Sequence, residues 1–500
     1  MSETRPAAPT SPPTSPAPAP APTRARAYVL AAAAFTGGWS LMMMEILGGR
    51  LMAPHFGYSV YQWGAVIGVV MGFMAAGYWT GGRVGDGPKA VPALRFALLA
   101  GALAAGLTPW LGKPMLADVA ARMNPAEGSV VGAALILGVP SFALAMVSPI
   151  CAGLSSLSGA AAAGRIYAVG TLGSIGGTFF AAFYAIPDLG VSAGYALAAV
   201  LPAVACAAVP GGWRMAAAAA LAVPLAWAAS IGEGQGFALY RETPHNTIMV
   251  REDAREIRLH LNVLWASQSR LRKDGGPTGL YYDLFTAAPA LTEGTRVLVL
   301  GLAGGAVPRE ILAAWPGADV LGVELDPAVV EVARERFGLD PRVRVAVEDA
   351  RRHVETSAEQ HDVIVVDLYS TAVIPFFTAT REFFAALERR LAPGGVVMMN
   401  VASPLDRDAL VGPLAATQGA VFPSVYVADA GRGNWLLIAT KEKRTLDELR
   451  VRLEQVPEAA AYAASHLRGT LAPVGTAGQP VLTDDRSDID RRSLAALYGR

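Results

Sequence analysis

Residues Val297–Leu312 read VLVLGLAGGAVPREIL, and this stretch decides the fold of the C-terminal half of the chain. An apolar run of strand length meets a glycine-rich turn, and a helical pattern follows the turn. Glycines at such a turn let the backbone come close to a ligand, as it does in nucleotide-binding proteins. The stretch therefore predicts the first strand, turn and helix of a nucleotide-binding domain.

Short apolar strands continue to alternate with helical segments after this turn. The predicted strands are DVLGVELD, RVRVAVEDA, DVIVVDLY and GGVVMMNV, and helices are expected at 306–315, 327–336 and 379–391. This alternation predicts an α/β, doubly wound, Rossmann-like domain of the S-adenosylmethionine-binding type over residues 291–500. Residues 233–290 alternate polar and apolar side chains, which predicts a small antiparallel β domain.

The N-terminal half has a different character. The chain of 500 residues is 53% hydrophobic and only 16% charged, which predicts that part of it is embedded in lipid. Residues 1–26 are rich in Pro and Ala and are expected to form a disordered tail. Residues 27–232 are expected to form a transmembrane helical bundle, because each apolar run is close to the roughly 20 residues that span a bilayer. The runs are 27–47, 58–80, 91–111, 130–150, 166–186, 190–210 and 213–231.

The charges exclude one class of partner and raise a question of orientation. Basic and acidic residues balance at 41 each, which argues against nucleic-acid binding. Basic residues lie in the tail and in alternate loops, so the positive-inside rule places the N-terminus in the cytoplasm. Seven crossings would then leave the C-terminal half outside, away from a cytosolic nucleotide. We therefore expect either that Trp213–Ile231, which contains Pro224, does not fully cross or that the number of crossings differs by one.

Several side chains of the C-terminal domain are expected to meet at the carboxyl ends of the strands, where ligands bind in this fold. Gly301 and Gly304 lie in the first turn, and Glu324 ends the second strand, where a carboxylate can accept ribose hydroxyls. The pair Asp349–Ala350 follows the third strand, in place for an adenine edge, and Asp367 ends the fourth. The usual dinucleotide spacing of glycines is absent, which favours an adenosyl-sulfonium ligand over a dinucleotide.

The ordered set of motifs makes a resemblance specific. The motifs are ETPHNTIMVRE at 242–252, LHLN at 259–262, LYYDLF at 280–285, VLVLGLAGGAVPRE, GVELDPAVVEVA, EDAR, DVIVVDLY, IPFFTATREFFAAL and LTDD at 482–485. Together they resemble the polyamine aminopropyltransferase (spermidine synthase) family, and in particular its membrane-fused, spermidine synthase-like branch. The resemblance covers about half of the chain directly.

The resemblance implies an activity and roles for individual residues. The implied reaction transfers an aminopropyl group from decarboxylated S-adenosylmethionine to a diamine and releases methylthioadenosine, without a prosthetic group or a metal. Asp367 would accept the proton of the attacking amine or orient it, since an ammonium has no lone pair. Glu324 would hold the ribose, and Asp349 with Ala350 the adenine. The implied amine contacts are His245, Gln268, Tyr282 and Asp283.

This chain departs from the family pattern at two acidic positions. The aspartate of the glycine turn is replaced by Gly304, and the second acid of Asp-x-x-Asp after the fourth strand is replaced by Ser370. The loss of two carboxylates keeps a second reaction open, methyl transfer from S-adenosylmethionine to an amine or a lipid-soluble acceptor. A third hypothesis is a transporter or sensor with a regulatory nucleotide domain, motivated by the small-residue helices and by Glu45 within the first apolar run.

The expected partners and location follow from the same features. They are a small-molecule amine, a lipid bilayer and a second copy of the chain in a homodimer. The expected location is a bacterial inner membrane, with the catalytic domain in the cytoplasm. Cys151 and Cys206 lie in apolar runs and are expected to be buried packing residues.

Overall fold

The protein is described by a computed structural model that covers residues 24–57, 59–155, 160–219, 223–224, 228, 236–370 and 373–498. Most of the predicted disordered tail and about half of the seventh apolar run lie outside these residues. The first helix begins at Arg24, three residues inside the segment expected to be disordered.

The described N-terminal half is a bundle of α-helices, as predicted. Six of its helical segments are long and apolar enough to cross a membrane, and they correspond to the first six predicted runs. Cys151 and Cys206 are buried in it as free thiols. The helices are α1 Arg24–Phe56, α2 Val60–Gly85, α3 Ala90–Arg122, α4 Pro125–Ala145, α5 Val147–Leu154, α6 Ala160–Phe180 with a π-helical continuation Ala181–Leu189, α7 Val191–Ala208 and α8 Trp213–Ala219.

Glycines allow α1 and α6 to pack backbone against backbone. A Cβ atom at Gly38 would lie 2.1 Å from the carbonyl oxygen of Gly170, and one at Gly173 would lie 2.1 Å from that of Phe35. No larger residue fits at either position without moving a helix. Such close approach of small residues is how helices associate in lipid, where burial of apolar surface supplies little driving force.

The bundle has two distinct ends. Arg26 donates to the Leu154 carbonyl and Arg95 donates to the Gly211 carbonyl at one end. Arg50 lies 24 residues after Arg26 on α1, about 36 Å further along a helix, and it donates to the Thr243 carbonyl at 2.8 Å. The C-terminal half therefore packs on the end of the bundle opposite to Arg26.

The predicted antiparallel β element follows the bundle. Its four strands pair in sequence order, with each neighbour antiparallel to the next. The side chain of Asp326 accepts hydrogen bonds from Thr243 and Asn246, so the turn after the first strand is tied to the following domain. The strands are β1 Leu239–Glu242, β2 Thr247–Glu252, β3 Glu256–Leu261 and β4 Ser269–Arg272.

The remaining strands form one sheet of eight, in the order β12-β10-β11-β9-β8-β5-β6-β7. Strands β9, β8, β5, β6 and β7 are parallel, as predicted, whereas β11, β10 and β12 extend the sheet antiparallel. The predicted strands of the parallel sheet ended at β9 and did not include this antiparallel extension, in which the tight glycine turn at 431–433 folds β10 and β11 into a hairpin. The strands are β5 Arg296–Leu300, β6 Asp319–Glu324, β7 Arg344–Val347, β8 His361–Val366, β9 Leu391–Ala402, β10 Ser424–Gly431, β11 Asn434–Thr440 and β12 Ala472–Pro473.

Helices cover both faces of this sheet and enclose two apolar cores, one on each side. Strand β5 lies between β6 and β8, so the strand order reverses at β5 and opens a crevice at the carboxyl ends of β5 and β8. The helices are α9 Tyr281–Leu284, α10 Ala306–Ala314, α11 Pro327–Arg336, α12 Ala350–Thr356, α13 Arg381–Arg390, α14 Arg407–Gly419, α15 Leu446–Arg452, α16 Ala461–Thr470 and α17 Ile489–Tyr498, with short 3-10 helices at Phe285–Leu291, Phe376–Thr378 and Glu458–Ala460.

Candidate active site

A single cavity of about 1000 Å³ lies at the reversal point of the sheet. Its volume is at the upper end of the range of about 300–1,000 Å³ that is usual for small-molecule sites. Residues from the ends of β5, β6, β7 and β8 form one side, and the loops of the small β domain form another. The end of the helical bundle closes the third side, which the sequence did not predict.

Gly301 is the residue of the glycine turn that this site requires. It has a φ of +90°, and a Cβ atom there would lie 2.3 Å from the Asp367 carbonyl oxygen. Only glycine accepts this backbone and this contact without strain. The turn therefore brings the end of β5 directly against the end of β8, where Asp367 stands.

Glu324 is held rigidly at the end of β6. Its carboxylate accepts hydrogen bonds from the backbone N–H of Ala303 at 2.9 Å and of Asp326 at 3.2 Å. The residue is buried, and burial raises the pKa of its carboxyl above the ordinary value, although these two bonds act in the opposite direction. A carboxylate has about four acceptor positions, so the group can accept a further hydrogen bond from a ligand.

The start of α12 supplies a second acidic corner of the cavity. Asp349 caps the helix by accepting the Arg352 N–H at 2.9 Å, and the buried Ala350 follows it. Glu348 also lines the cavity, and its carboxylate contacts His353 Nδ1 at 2.8 Å. The three acids Glu324, Glu348 and Asp349 thus lie on the same part of the wall.

Asp367 lines the cavity just after β8. Its carboxylate accepts hydrogen bonds from the Tyr281 hydroxyl at 2.9 Å and from Asn400 Nδ2 at 3.0 Å. Burial raises the pKa of Asp367 to about 6, and the two hydrogen bonds limit this rise because they favour the charged form. A carboxylate with a pKa close to neutrality is ionised at pH 7 and is also a stronger base than an exposed aspartate, which suits it to accept a proton.

The comparisons with known proteins agree with this geometry. Residues 281–431 match the family model of the spermine/spermidine synthase domain. A probable polyamine aminopropyl transferase of Bifidobacterium longum is 35% identical over 161 residues, which cover 32% of this chain and 36% of that protein. The polyamine aminopropyltransferase of Mycobacterium tuberculosis is 27% identical over 439 residues, which cover 76% of this chain and 82% of that protein.

The match to the family model assigns residues 281–431 of the chain to the spermine/spermidine synthase domain family. The C-terminal half of the chain has a Rossmann-type fold. Because residues 236–500 make up only about half of the chain, the match to the Mycobacterium tuberculosis protein must also include part of the helical bundle. The chain spans about a third of the length of the Bifidobacterium longum protein and about four-fifths of the mycobacterial one. A solved structure of a probable spermidine synthase from Corynebacterium glutamicum aligns with a TM-score of 0.38 and 21% identity, and covers 49% of this chain and 95% of that one.

The structure brings most of the residues expected in a spermidine synthase-like site to the cavity wall. Gly301, Glu324, Asp349, Ala350 and Asp367 all line it, and so do three of the expected amine contacts. These three are His245, Gln268 and Tyr282.

Two expected site residues lie elsewhere, and their predicted roles are corrected. Asp283 is buried outside the cavity wall, where its oxygens accept hydrogen bonds from the Thr278 hydroxyl at 2.8 Å and the Gly279 N–H at 2.7 Å. It stabilises the turn before α9 and does not contact the cavity. Gly304 also lies outside the wall, because its N–H donates to the Ser269 hydroxyl and a Cβ atom there would meet Ser269 Cβ at 2.7 Å.

Sequence reasoning missed the two partners of Asp367. It chose Tyr282 from the pair Tyr281–Tyr282, but the Tyr281 hydroxyl reaches Asp367, whereas the buried Tyr282 hydroxyl has no hydrogen-bond partner among the described residues. Asn400 lies in the predicted strand GGVVMMNV, and a polar residue in an otherwise apolar buried strand was the available signal.

Proposed function

We propose that this chain is a membrane-integrated aminopropyltransferase, which transfers the aminopropyl group of decarboxylated S-adenosylmethionine to an amine and releases methylthioadenosine. The observation that carries the proposal is the half-buried Asp367 carboxylate in the cavity wall, held by Tyr281 and Asn400. In this proposal Glu324 and Asp349 bind the ribose and adenine of the donor, and Gly301 leaves room for the donor beside β5.

The chemistry needs a base and little else. Asp367 accepts a proton as the amine becomes a nucleophile, and the amine nitrogen forms a bond to the carbon next to the sulfonium while the carbon–sulfur bond breaks. The leaving group is a neutral thioether, so acid catalysis is not required. The remaining acceleration comes from holding the amine and the donor in line.

The decisive experiment measures methylthioadenosine release by the full-length protein from decarboxylated S-adenosylmethionine and an amine. Asp367→Asn keeps the shape of the side chain and removes the base, so turnover should fall by about 10²–10⁴-fold. Donor binding, measured by calorimetry, should persist because Glu324 and Asp349 are unchanged. Normal turnover in Asp367→Asn would place the chemistry on another residue.

Methyl transfer from S-adenosylmethionine is the second candidate. It is favoured by the absence of the two carboxylates that Gly304 and Ser370 replace, since these acids would otherwise help to hold a cationic substrate. The product separates the two reactions, because methyl transfer yields S-adenosylhomocysteine. Detection of methylthioadenosine alone would reject methyl transfer.

We also propose that the protein is integral to a bacterial inner membrane, which the six long apolar helices support. The end of the bundle remote from the catalytic domain carries the larger number of basic residues, and the positive-inside rule assigns that end to the cytoplasm. The proposal therefore places the catalytic domain on the extracytoplasmic side. This differs from the cytoplasmic location that was expected because the donor is a cytosolic nucleotide. The basic residues at the remote end are Arg24, Arg26, Arg83, Lys89, Arg95, Arg165 and Arg214, and those near the catalytic domain are Arg50, Lys113 and Arg122.

A further inference from the structure

The cavity has an apolar wall that the nucleotide domain does not supply. This wall comes from the end of the bundle, where Ile46 of α1, Trp63 of α2 and Ala182 with Ile186 of the π-helical segment line the same space as Asp367. Trp63 and Ala182 are exposed, and Ile46 is half-buried. The reacting centre is therefore open on one side to helices of the membrane bundle.

A smaller cavity of about 40 Å³ lies deeper in the bundle, where residues of α1, α2 and α6 line it together with residues of α4 and α5. Gly38 of α1, Met74 of α2 and Ser174 of α6 are among its lining residues. Near this level α2 and α6 meet through the rings of Tyr78 and Tyr167, whose centroids are 5.9 Å apart.

The two cavities lie on one line along the three helices, which we call the α1–α2–α6 seam. On α1, Gly38 and Ile46 are two steps of four residues apart, so Met42 lies between them on the same face. On α2 the same spacing places Ile67 and Met71 between Trp63 at one end and Met74 or Ala75 at the other. On α6 it places Thr178 between Ser174 and Ala182.

The intermediate positions of the seam are only partly covered within the described bundle. Met42 and Thr178 are half-buried, Ile67 is 45% exposed and Met71 is 63% exposed. From Ile46 to Gly38 the seam extends for about 12 Å along α1. It offers an exposed apolar path from the reacting centre into the part of the bundle that faces lipid.

The charges of the cavity differ between its two ends. The acids Glu324, Glu348 and Asp349 lie at the nucleotide end, whereas among the described residues the one ionisable side chain that the bundle contributes to the wall is the cation Arg50. A short diamine carries a second ammonium that needs an acidic partner. Beyond Asp367, the remaining acid on the described wall is Asp490 of α17.

We propose that the acceptor is an amine carried on an apolar chain, with its nitrogen at Asp367 and its chain along the α1–α2–α6 seam. This acceptor class rests on the proposed aminopropyl transfer. The amine lone pair forms the new nitrogen–carbon bond, the carbon–sulfur bond breaks, the sulfonium becomes a neutral thioether, and the proton lost from nitrogen passes to the Asp367 carboxylate.

The test uses the full-length protein in lipid nanodiscs with decarboxylated S-adenosylmethionine and three acceptors, namely butylamine, decylamine and putrescine. Methylthioadenosine release gives kcat/KM for each. Burial of the additional methylenes of decylamine should raise its kcat/KM at least about 100-fold over that of butylamine. Because decylamine also concentrates in the bilayer, variants are needed to assign the preference to the seam.

Ala182→Trp fills the seam from an exposed position, and it should reduce the ratio of decylamine to butylamine kcat/KM at least tenfold. Ala76→Trp is the matched control, since Ala76 is exposed on α2, lines neither cavity and is not one of the seam positions. This control should keep the ratio of the wild type, because partition into lipid is the same in both variants.

The outcomes separate the acceptor class from the reaction itself. Two results would overturn the apolar acceptor and leave aminopropyl transfer intact. The first is turnover of putrescine without turnover of decylamine. The second is a putrescine turnover that exceeds that of decylamine and is lost in Asp490→Asn. An unchanged ratio in Ala182→Trp also overturns the apolar acceptor. Methylthioadenosine release with none of the amines, despite donor binding by calorimetry, overturns the proposed function and the acceptor class together.

Discussion

The Tyr281→Phe variant tests whether Asp367 is the base, because it changes the pKa of that carboxyl without touching the carboxyl itself. The Tyr281 hydroxyl donates a hydrogen bond of 2.9 Å to Asp367, and this bond favours the ionised form. A hydrogen bond to a charged group contributes about 1.5–3 kcal/mol, and one pKa unit corresponds to about 1.36 kcal/mol. Loss of the hydroxyl should therefore raise the pKa of Asp367 by about 1–2 units, from about 6 to roughly 7–8.

The active form is the carboxylate, so activity is lost as the pH falls through this pKa, and a raised pKa moves the acid limb of the pH profile to higher pH. At pH 7 the ionised fraction should fall from about nine-tenths to between about a half and a tenth. The expected kcat/KM at pH 7 is thus about 2–10-fold lower, with recovery towards pH 9.

The assay is the rate of methylthioadenosine release between pH 5 and pH 9 for the wild type, Tyr281→Phe and Tyr282→Phe. Tyr282→Phe is the matched control, because it removes a hydroxyl of the adjacent tyrosine that does not bond to Asp367. The acid limb should move only in Tyr281→Phe. An acid limb that stays in place in Tyr281→Phe, or that moves equally in both variants, would refute the assignment of Asp367 as the titrating base.

Three further changes probe the donor site, the glycine turn and the orientation. Glu324→Gln should weaken donor binding by at least about tenfold in calorimetry, because charge-assisted hydrogen bonds are roughly twice as strong as neutral ones; unchanged affinity would mean that Glu324 does not contact the donor. Gly304→Asp should lower the unfolding temperature, since the new side chain meets Ser269. A variant that keeps wild-type stability and changes the preference between S-adenosylmethionine and its decarboxylated form would contradict this prediction. With a membrane-impermeant maleimide on whole cells, Ala254→Cys in the β domain should react at once and Ala25→Cys only after permeabilisation, and the reverse pattern would place the catalytic domain in the cytoplasm.

The sequence by itself determined the elements and the positions of the acids along them. Apolar runs of about 20 residues can satisfy their backbone in lipid only as helices, and the alternation of strands and helices after Val297 leads to a parallel sheet. Since the carboxyl ends of parallel strands share one edge, Glu324, Asp349 and Asp367 could be placed together without a structure.

Only the tertiary structure decided which neighbouring side chains join those acids. Tyr281 and Tyr282 are adjacent in sequence, and the orientation of the short helix α9 against β8 determines which hydroxyl reaches Asp367. Gly304 and Asp283 are directed away from the cavity by contacts with Ser269 and Gly279. These directions depend on packing between distant segments, which no local pattern records.

The position of the bundle was likewise decided by tertiary contacts. Arg50 and Thr243 are 193 residues apart, and their hydrogen bond belongs to the contact between α1 and the β domain. Composition identifies a helix that can span a membrane. It does not identify the end of that helix on which a later domain packs, because this depends on the number of membrane crossings in between and on tertiary contacts. The apolar wall beside Asp367 therefore exists only in the folded protein, because helices from the first half of the chain complete a site whose acids come from the second.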